Sequence, residues 1–258
     1  MGLNVAAATD TGRVRRHNED SYIVGKRLWA VADGMGGQAA GATASRIAVQ
    51  CLASYDKSGE IDQAAIAALV DQTNAAILAY SARHPKTAGM GTTLAGMALM
   101  KLGGGCHWLI FNVGDSRVYR FADGVLHQET IDHSEVQELV NRGEIRQADA
   151  RTHPNRNVLT RCLGTPCPPT VGMRVVPCQP GDRMLVCSDG LTSEVNDDKI
   201  EIVLRTAVDP HQAVDTLIEA ALENGGRDNI SVIVVGIDEE QERLMEDTLP
   251  VMTMEAGS

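Results

Sequence analysis

Acidic residues recur in this chain where an apolar run begins or ends. Asp33 closes Leu28-Trp29-Ala30-Val31-Ala32 and is followed by Gly34-Met35-Gly36-Gly37. Asp115 closes Phe111-Asn112-Val113-Gly114, and Asp189 closes Leu185-Val186-Cys187-Ser188. Asp228 follows Gly225-Gly226-Arg227 and precedes Ile230 to Val235, while Glu19 and Asp20 precede another apolar segment. A carboxylate at the mouth of a core is costly unless paired, hydrogen-bonded or bound to a metal. One Asp-Gly alone is a turn. Several beside the most apolar strands suggest that strand ends converge on one acidic pocket, where mutual repulsion demands a positive partner. Oxygen ligands without a histidine pair suit Mg²⁺ or Mn²⁺ better than zinc or copper. Two such ions bridged by a water lower its pKa and aim it in line at phosphorus. Arginine holds phosphate bidentately, and Arg15 beside Asn18-Glu19-Asp20 is the best placed. Arg13 and Arg16 read rather as solvated loop charges.

The elements that must position these acids follow from the pattern. Residues 3–9 and 21–32 read as strands on either side of a charged loop. Ala39 to about Tyr55 reads as a helix with Ala44, Ile47, Ala48, Cys51 and Leu52 on one face. Ile61 to Arg83 reads as a second helix, stopped near Pro85. Thr92–Leu102 and Cys106–Val113 form a hairpin about Gly103-Gly104-Gly105. Val118–Phe121 is a strand, and Asp123-Gly124 a hairpin turn. From Ile131 to Pro169 the chain reads as an insertion beside the core, with helical pieces at Ser134–Arg142 and Arg146–Ala150. Strands Met184–Cys187 and Ile230–Val235 bracket a helix around Pro210 to Asn224. Strands, helices, hairpins, helix and strand in that order imply α+β with largely antiparallel sheets.

Length and composition restrict the possibilities. The chain has 258 residues, of which 43% are hydrophobic, enough to bury a sizeable core. A net charge of −11 and 3% aromatics argue against nucleic acid as a partner, which would need a basic face or stacking surface. The cysteines (Cys51, Cys106, Cys162, Cys167, Cys178 and Cys187) form no C-x-x-C pair and read as reduced core residues of a cytosolic protein. Met1 to Asp20 holds no apolar core of signal-peptide length. Ala6 stands where myristoylation would favour Ser or Thr, and the longest apolar stretches are too short to span a bilayer. The expected location is cytoplasmic, with no membrane segment.

Taken in order, Arg15-x-x-Asn18-Glu19-Asp20, Asp33-Gly34-Met35-Gly36-Gly37, Gly91-Thr92-Thr93-Leu94, Val113-Gly114-Asp115-Ser116-Arg117, Ser188-Asp189-Gly190-Leu191 and Gly226-Arg227-Asp228-Asn229 resemble the motifs of one family. It is the metal-dependent serine/threonine phosphatases of type 2C (PPM), in their bacterial form, and the match runs to about Gly236. The resemblance implies a four-layer αββα sandwich forming one domain over 1–237, with a flap at about 131–165 and an acidic tail at 238–258. It implies hydrolysis of phosphoserine and phosphothreonine in proteins with two Mn²⁺ or Mg²⁺ ions. Asp33 would bridge the ions, Asp189 and Asp228 would complete one, and Glu19 and the Gly34 carbonyl would serve the other. Asp20 would orient metal-bound water, and Asp115 would belong to a third, weaker ion. The implied partners are phosphorylated proteins: a Ser/Thr kinase and its substrates, forkhead-associated (FHA) proteins among them. The expected state is a monomer.

Two departures stand out. Met35 occupies a position where eukaryotic relatives of the family often carry a histidine proposed as the general acid, leaving the general acid unassigned here. His133 and His153 in the flap are candidates for it, each also readable as a loop histidine. Ser193 stands where many relatives carry an acid, which weakens the third site. Other phosphatase chemistries are excluded by spacing, since no cysteine has an arginine six positions later and Asp-x-Asp-x-Thr/Val is absent. A dinucleotide site at Gly34-x-Gly36-x-x-Ala39 would aim Asp33 at a pyrophosphate, with no βαβ repeat to follow. A catalytically weak phosphoprotein-binding module on the same fold would lack metal-ligating acids, and none is missing.

Overall fold

The computed structural model describes residues 2–37, 40–57 and 61–237. The first residue expected in the first helix, Ala39, and the 238–258 tail lie outside them. The strands are β1 (Leu3–Asp10), β2 (Asp20–Val24), β3 (Leu28–Met35), β4 (Gly91–Thr92), β5 (Leu94–Leu102), β6 (Gly105–Val113), β7 (Arg117–Ala122), β8 (Val125–Gln128), β9 (Gly172–Pro177), β10 (Arg183–Cys187) and β11 (Ile230–Ile237). The helices are α1 (Ala40–Asp56), α2 (Gln63–Arg83), α3 (Glu135–Asn141), α4 (Gln147–Ala150), α5 (Asp189–Glu194), α6 (Asp197–Thr206) and α7 (Pro210–Glu223).

The strands form two sheets, ordered β1-β11-β10-β7-β8 and β2-β3-β5-β6-β9, with β4 paired to β3. Every pairing among the described residues is antiparallel. Alternate residues of each strand enter different cores. Trp29 and Val31 of β3, Met184 and Val186 of β10, and Ile233 and Val235 of β11 meet between the sheets. Leu28, Ala30 and Ala32 face α1 and α2 instead, and Leu185, Cys187, Ile230, Val232 and Val234 face α5, α6 and α7. The result is the four-layer α-β-β-α sandwich. Its central strands read as unbroken apolar runs because both faces are covered. Trp29 and Trp108 lock the inter-sheet layer edge to face, with ring centroids 5.7 Å apart.

Several elements differ from the sequence reading. Residues 21–32 are a hairpin rather than one strand, because Asp56 captures the Lys26 and Arg27 N–H groups at 2.8 and 3.0 Å and holds the turn. Strand β3 continues two residues past Asp33, since Gly34 and Met35 pair with Thr92 and Gly91. Three helices rather than one lie between β10 and β11. Of the cysteines, all free, Cys187 alone is fully buried, while Cys106 and Cys167 are exposed. Among the described residues no helix is long and apolar enough to cross a membrane.

Candidate active site

Asp20 and Asp33 are direct cross-strand partners on β2 and β3, a placement that costs stability for two like charges. The backbone around Asp33 is clamped. Its N–H donates to Thr93 Oγ1 at 3.0 Å, and its carbonyl accepts from Thr93 N and Thr92 Oγ1, both at 2.9 Å. The Thr93 hydroxyl also lies 2.7 Å from the Ser116 hydroxyl, next to Asp115. The Glu19 carbonyl accepts from Gly34 N at 3.2 Å and Ser45 Oγ at 2.6 Å. A side chain at position 34 would run into the Gly41 and Glu19 carbonyls, so only glycine lets β3 approach this closely.

Asn229 gathers the other sheet's contribution. Its Oδ1 accepts the Glu19 N–H at 2.8 Å, and its Nδ2 donates to the Thr11 and His17 carbonyls at 2.9 and 3.0 Å. One amide therefore fixes the 11–19 loop against the start of β11. Ser188, which precedes Asp189 at the end of β10, donates from Oγ to Asp20 Oδ2 at 2.8 Å and accepts Ser231 N at 2.9 Å. Asp228 accepts the Asn229 N–H on Oδ1 at 2.8 Å and Arg15 Nη2 on Oδ2 at 2.6 Å. Sequence reasoning quoted Asn18, Thr93, Ser116, Ser188 and Asn229 within motifs but gave them no role. Asn18 acts locally, bonding Thr9 and Asp20; the bonds of the other four join segments distant in the chain, so spacing carries no sign of them.

The electrostatics show how close these groups are. Burial, then the charges of Asp20, Asp189 and Asp115, pushes the Asp33 carboxyl well above the usual range. Burial lifts Asp20 to about 7 against the pull of the Ser231 and Ser188 hydroxyls. Burial and then Asp189 and Asp132 raise Asp115; burial and then Asp228 raise Asp189. The Arg15 guanidinium is raised chiefly by its bond to Asp228, and it also feels Asp33 and Asp189. The structure thus brings Asp20, Asp33, Asp115, Asp189, Asp228 and Arg15 into one electrostatic cluster, with Glu19 tied to its frame.

The donor set fits a hard divalent cation. Glu19 Oε1, Asp20 Oδ1 and Asp189 Oδ1 are buried with no hydrogen-bond partner, and oxygens in that condition need a cation or a proton. Among the described residues no three acids are already arranged around one point as a finished ligand set, and Asp228 is turned onto Arg15.

The candidate proton donors fare differently. His133 is buried, its Nδ1 accepting Gly114 N at 3.2 Å and its Nε2 lying 3.2 Å from Arg161 Nη1. Burial and then Arg161 hold it down at about 4, so it is a neutral strut between Gly114 and Arg161 rather than an acid. His153 accepts Asn155 N at 3.2 Å, and no bond ties it to the carboxylates. Arg13, Arg16 and Ser193 are exposed, and Met35 is half-buried with its Cγ toward Gly91.

Comparison with known proteins agrees with this geometry. The family model described as protein phosphatase 2C matches residues 13–226. The chain is 41% identical over 238 residues to the serine/threonine protein phosphatase PstP of Mycobacterium tuberculosis, covering 91% of this chain but 45% of that protein, about half its length. It is 39% identical to the serine/threonine phosphatase stp of Listeria monocytogenes, covering 89% of this chain and 94% of that one. A crystal structure of the PstP catalytic domain in complex with 2 manganese ions superposes with a TM-score of 0.80 at 39% identity, covering 92% of this chain and 99% of that one. This chain belongs to the protein phosphatase 2C family, the metal-dependent serine/threonine phosphatases in their bacterial form.

Proposed function

We propose that the chain hydrolyses phosphoserine and phosphothreonine in proteins, using two Mn²⁺ or Mg²⁺ ions. The observation that carries this reading is the set of orphaned buried oxygens on Glu19, Asp20 and Asp189 around Asp33, with Arg15 facing the same cluster. Asp33 would hold both ions, Asp189 and Asp228 one of them, and Glu19 with the Gly34 carbonyl the other. When bound, the ions supply Lewis acidity and a water acidic enough to attack at neutral pH. Asp115 is assigned a third, weaker ion, with exposed Ser193 offering little help.

The chain's own residues bind and orient. Arg15 is about half exposed, at 53%, at the rim of a buried acidic cluster, and its fork suits two phosphate oxygens. Substrate would draw it from Asp228, freeing an oxygen of that carboxylate. Asp20 would accept a hydrogen bond from the attacking water on Oδ1, which has no protein partner, while Ser188 holds Oδ2. Arg151 of the flap donates to the Thr192 carbonyl of α5 at 2.9 Å, tying the flap to the helix that Asp189 opens. Met35 donates no proton, so the leaving oxygen takes its proton from water. A cytoplasmic monomer acting on a Ser/Thr kinase, its substrates and FHA proteins fits the family.

The test is Mn²⁺-dependent phosphate release from a phosphothreonine peptide. Activity should vanish in EDTA, return with Mn²⁺, and fail in Asp33→Asn and Asp189→Asn. Release that persists in either variant would overturn the site.

A further inference from the structure

The far end of the sandwich carries a feature that the hydrolytic reading does not use. Strands β6 and β9 pair antiparallel with His107 opposite Pro177. One residue further on, Cys106 stands opposite Cys178, and the Cys178 N–H donates to the Cys106 carbonyl at 3.1 Å. Residues opposed in this way place their side chains on the same face, with Cβ atoms about 4.5–5.5 Å apart and Cα atoms at about 5.5 Å. That Cα separation lies within disulfide range, and the Cβ atoms, at the wider end of their range in a hydrogen-bonded pair, need to close by about 1–2 Å. The face is the inter-sheet one. Cys178 packs against the Trp108 and Val176 layer, and Cys106 lies two residues before Trp108 on the same strand. Both thiols are free, Cys106 exposed and Cys178 half-buried.

We infer that Cys106 and Cys178 are a reversible oxidation site, closing to a cross-strand disulfide under peroxide. The Cys106 thiolate attacks a peroxide oxygen, the O–O bond breaks, and Cys106 becomes a sulfenic acid as hydroxide leaves and takes up the proton that the thiol released, giving the first water. The Cys178 thiolate then attacks the Cys106 sulfur, the S–O bond breaks, and hydroxide leaves to take up a proton as the second water. Two thiols lose two electrons and the peroxide gains them. Burial and the neighbouring Cys106 push the Cys178 thiol up to about 12, so the second step runs faster as pH rises. A cross-strand bond drawn slightly together is strained and easily reduced, which is the character of a labile disulfide rather than a structural one.

The pair is remote from the acidic cluster. From Cys106 to Val113 strand β6 spans ~24 Å at 3.4 Å per residue, and the cluster lies beyond Val113. The bond closes the loop 106–178, which contains the flap, so its effect is on unfolding rather than chemistry.

The experiment uses the full chain, reduced and then treated with hydrogen peroxide at pH 7 and pH 9, alkylated, and digested with trypsin without reductant. The expected product joins peptides 102–117 and 175–183 with the loss of two hydrogens, and forms faster at pH 9. The oxidised protein should melt roughly 5–10 °C higher and return to the starting value with reductant. Cys106→Ser should show neither change while keeping its phosphate release, and Cys178→Ala, if it folds, should match it. Full alkylation of both thiols after peroxide, a Cys106–Cys106 dimer, pairing with Cys162 or Cys167, or sulfinic acid at Cys106 beside an unmodified Cys178 would each overturn the assignment.

Discussion

Two sets of aspartates drawn into the interior of this molecule are provided for in opposite ways. Asp182, its side chain 3% exposed, takes Arg120 Nε at 2.9 Å, Arg120 Nη2 at 3.2 Å and Gln179 N at 3.2 Å. Asp132 takes Arg117 Nε and Nη2 and the Gln128 amide, at 2.7 to 3.1 Å. Each carboxylate has its own guanidinium. Asp20 is buried and Asp33, Asp115 and Asp189 are half-buried, but these four face one another, and a buried oxygen each of Asp20 and Asp189 has no partner at all. Arg15 bonds Asp228 at the rim of this set, and Arg117, already forked onto Asp132, acts on Asp115 and Asp189 from a distance. Asp182 and Asp132 are neutralised by arginines bonded directly to them; none of the other four has such a bond among the described residues. A buried acid provided with arginine reads as structure, and a buried acid denied it reads as a site.

Substitutions should separate the two sets. Asp33→Asn should lower kcat/KM for a phosphothreonine peptide by roughly 10³ or more, about 4 kcal/mol at the transition state. Asp182→Ala should do the reverse, costing about 3 kcal/mol of stability by stranding Arg120, with kcat unchanged per folded molecule. Denaturant unfolding and active-fraction kinetics together read that contrast. Equal loss of activity in both variants would break it. Arg15→Lys keeps the charge but loses the fork, so kcat/KM should fall about 30-fold, near 2 kcal/mol. The smallest effect concerns His133. Its folded pKa of about 4 lies below the ordinary 6.5, so the folded protein resists a proton that the unfolded chain accepts. Stability is therefore lost as pH falls, by about 1 kcal/mol between pH 6.5 and 5.5. His133→Asn should lack that increment in melts across the same window.

Much of this contrast was legible in the sequence. Strands β3, β10 and β11 announced themselves because helices cover one face and the opposite sheet covers the other. Their acids could then be placed at one end. Strand β9 was missed, since Gly172-Met173-Arg174-Val175-Val176-Pro177 is short, half-polar and closed by proline. Helix α6 was missed too, although Asn196 caps it through Lys199 N at 2.9 Å and Ile200, Val203 and Leu204 make its buried face. The site's frame was the least legible part. Asn229 bonds residues 11, 17 and 19, and Ser188 bonds residue 20. Those roles arise only when two sheets dock, and nothing local marks them. His133 was weighed as an acid on residue type, and burial decided otherwise.

Thermal unfolding of wild type and Asp33→Asn, each in EDTA and across a Mn²⁺ titration, tests the central claim most directly. If the buried acids repel one another until a cation joins them, Asp33→Asn should melt higher than wild type in EDTA. Mn²⁺ should raise the wild-type Tm in a saturable way and leave the variant nearly unmoved. A variant that melts lower than wild type in EDTA, yet gains as much from Mn²⁺, would contradict the account.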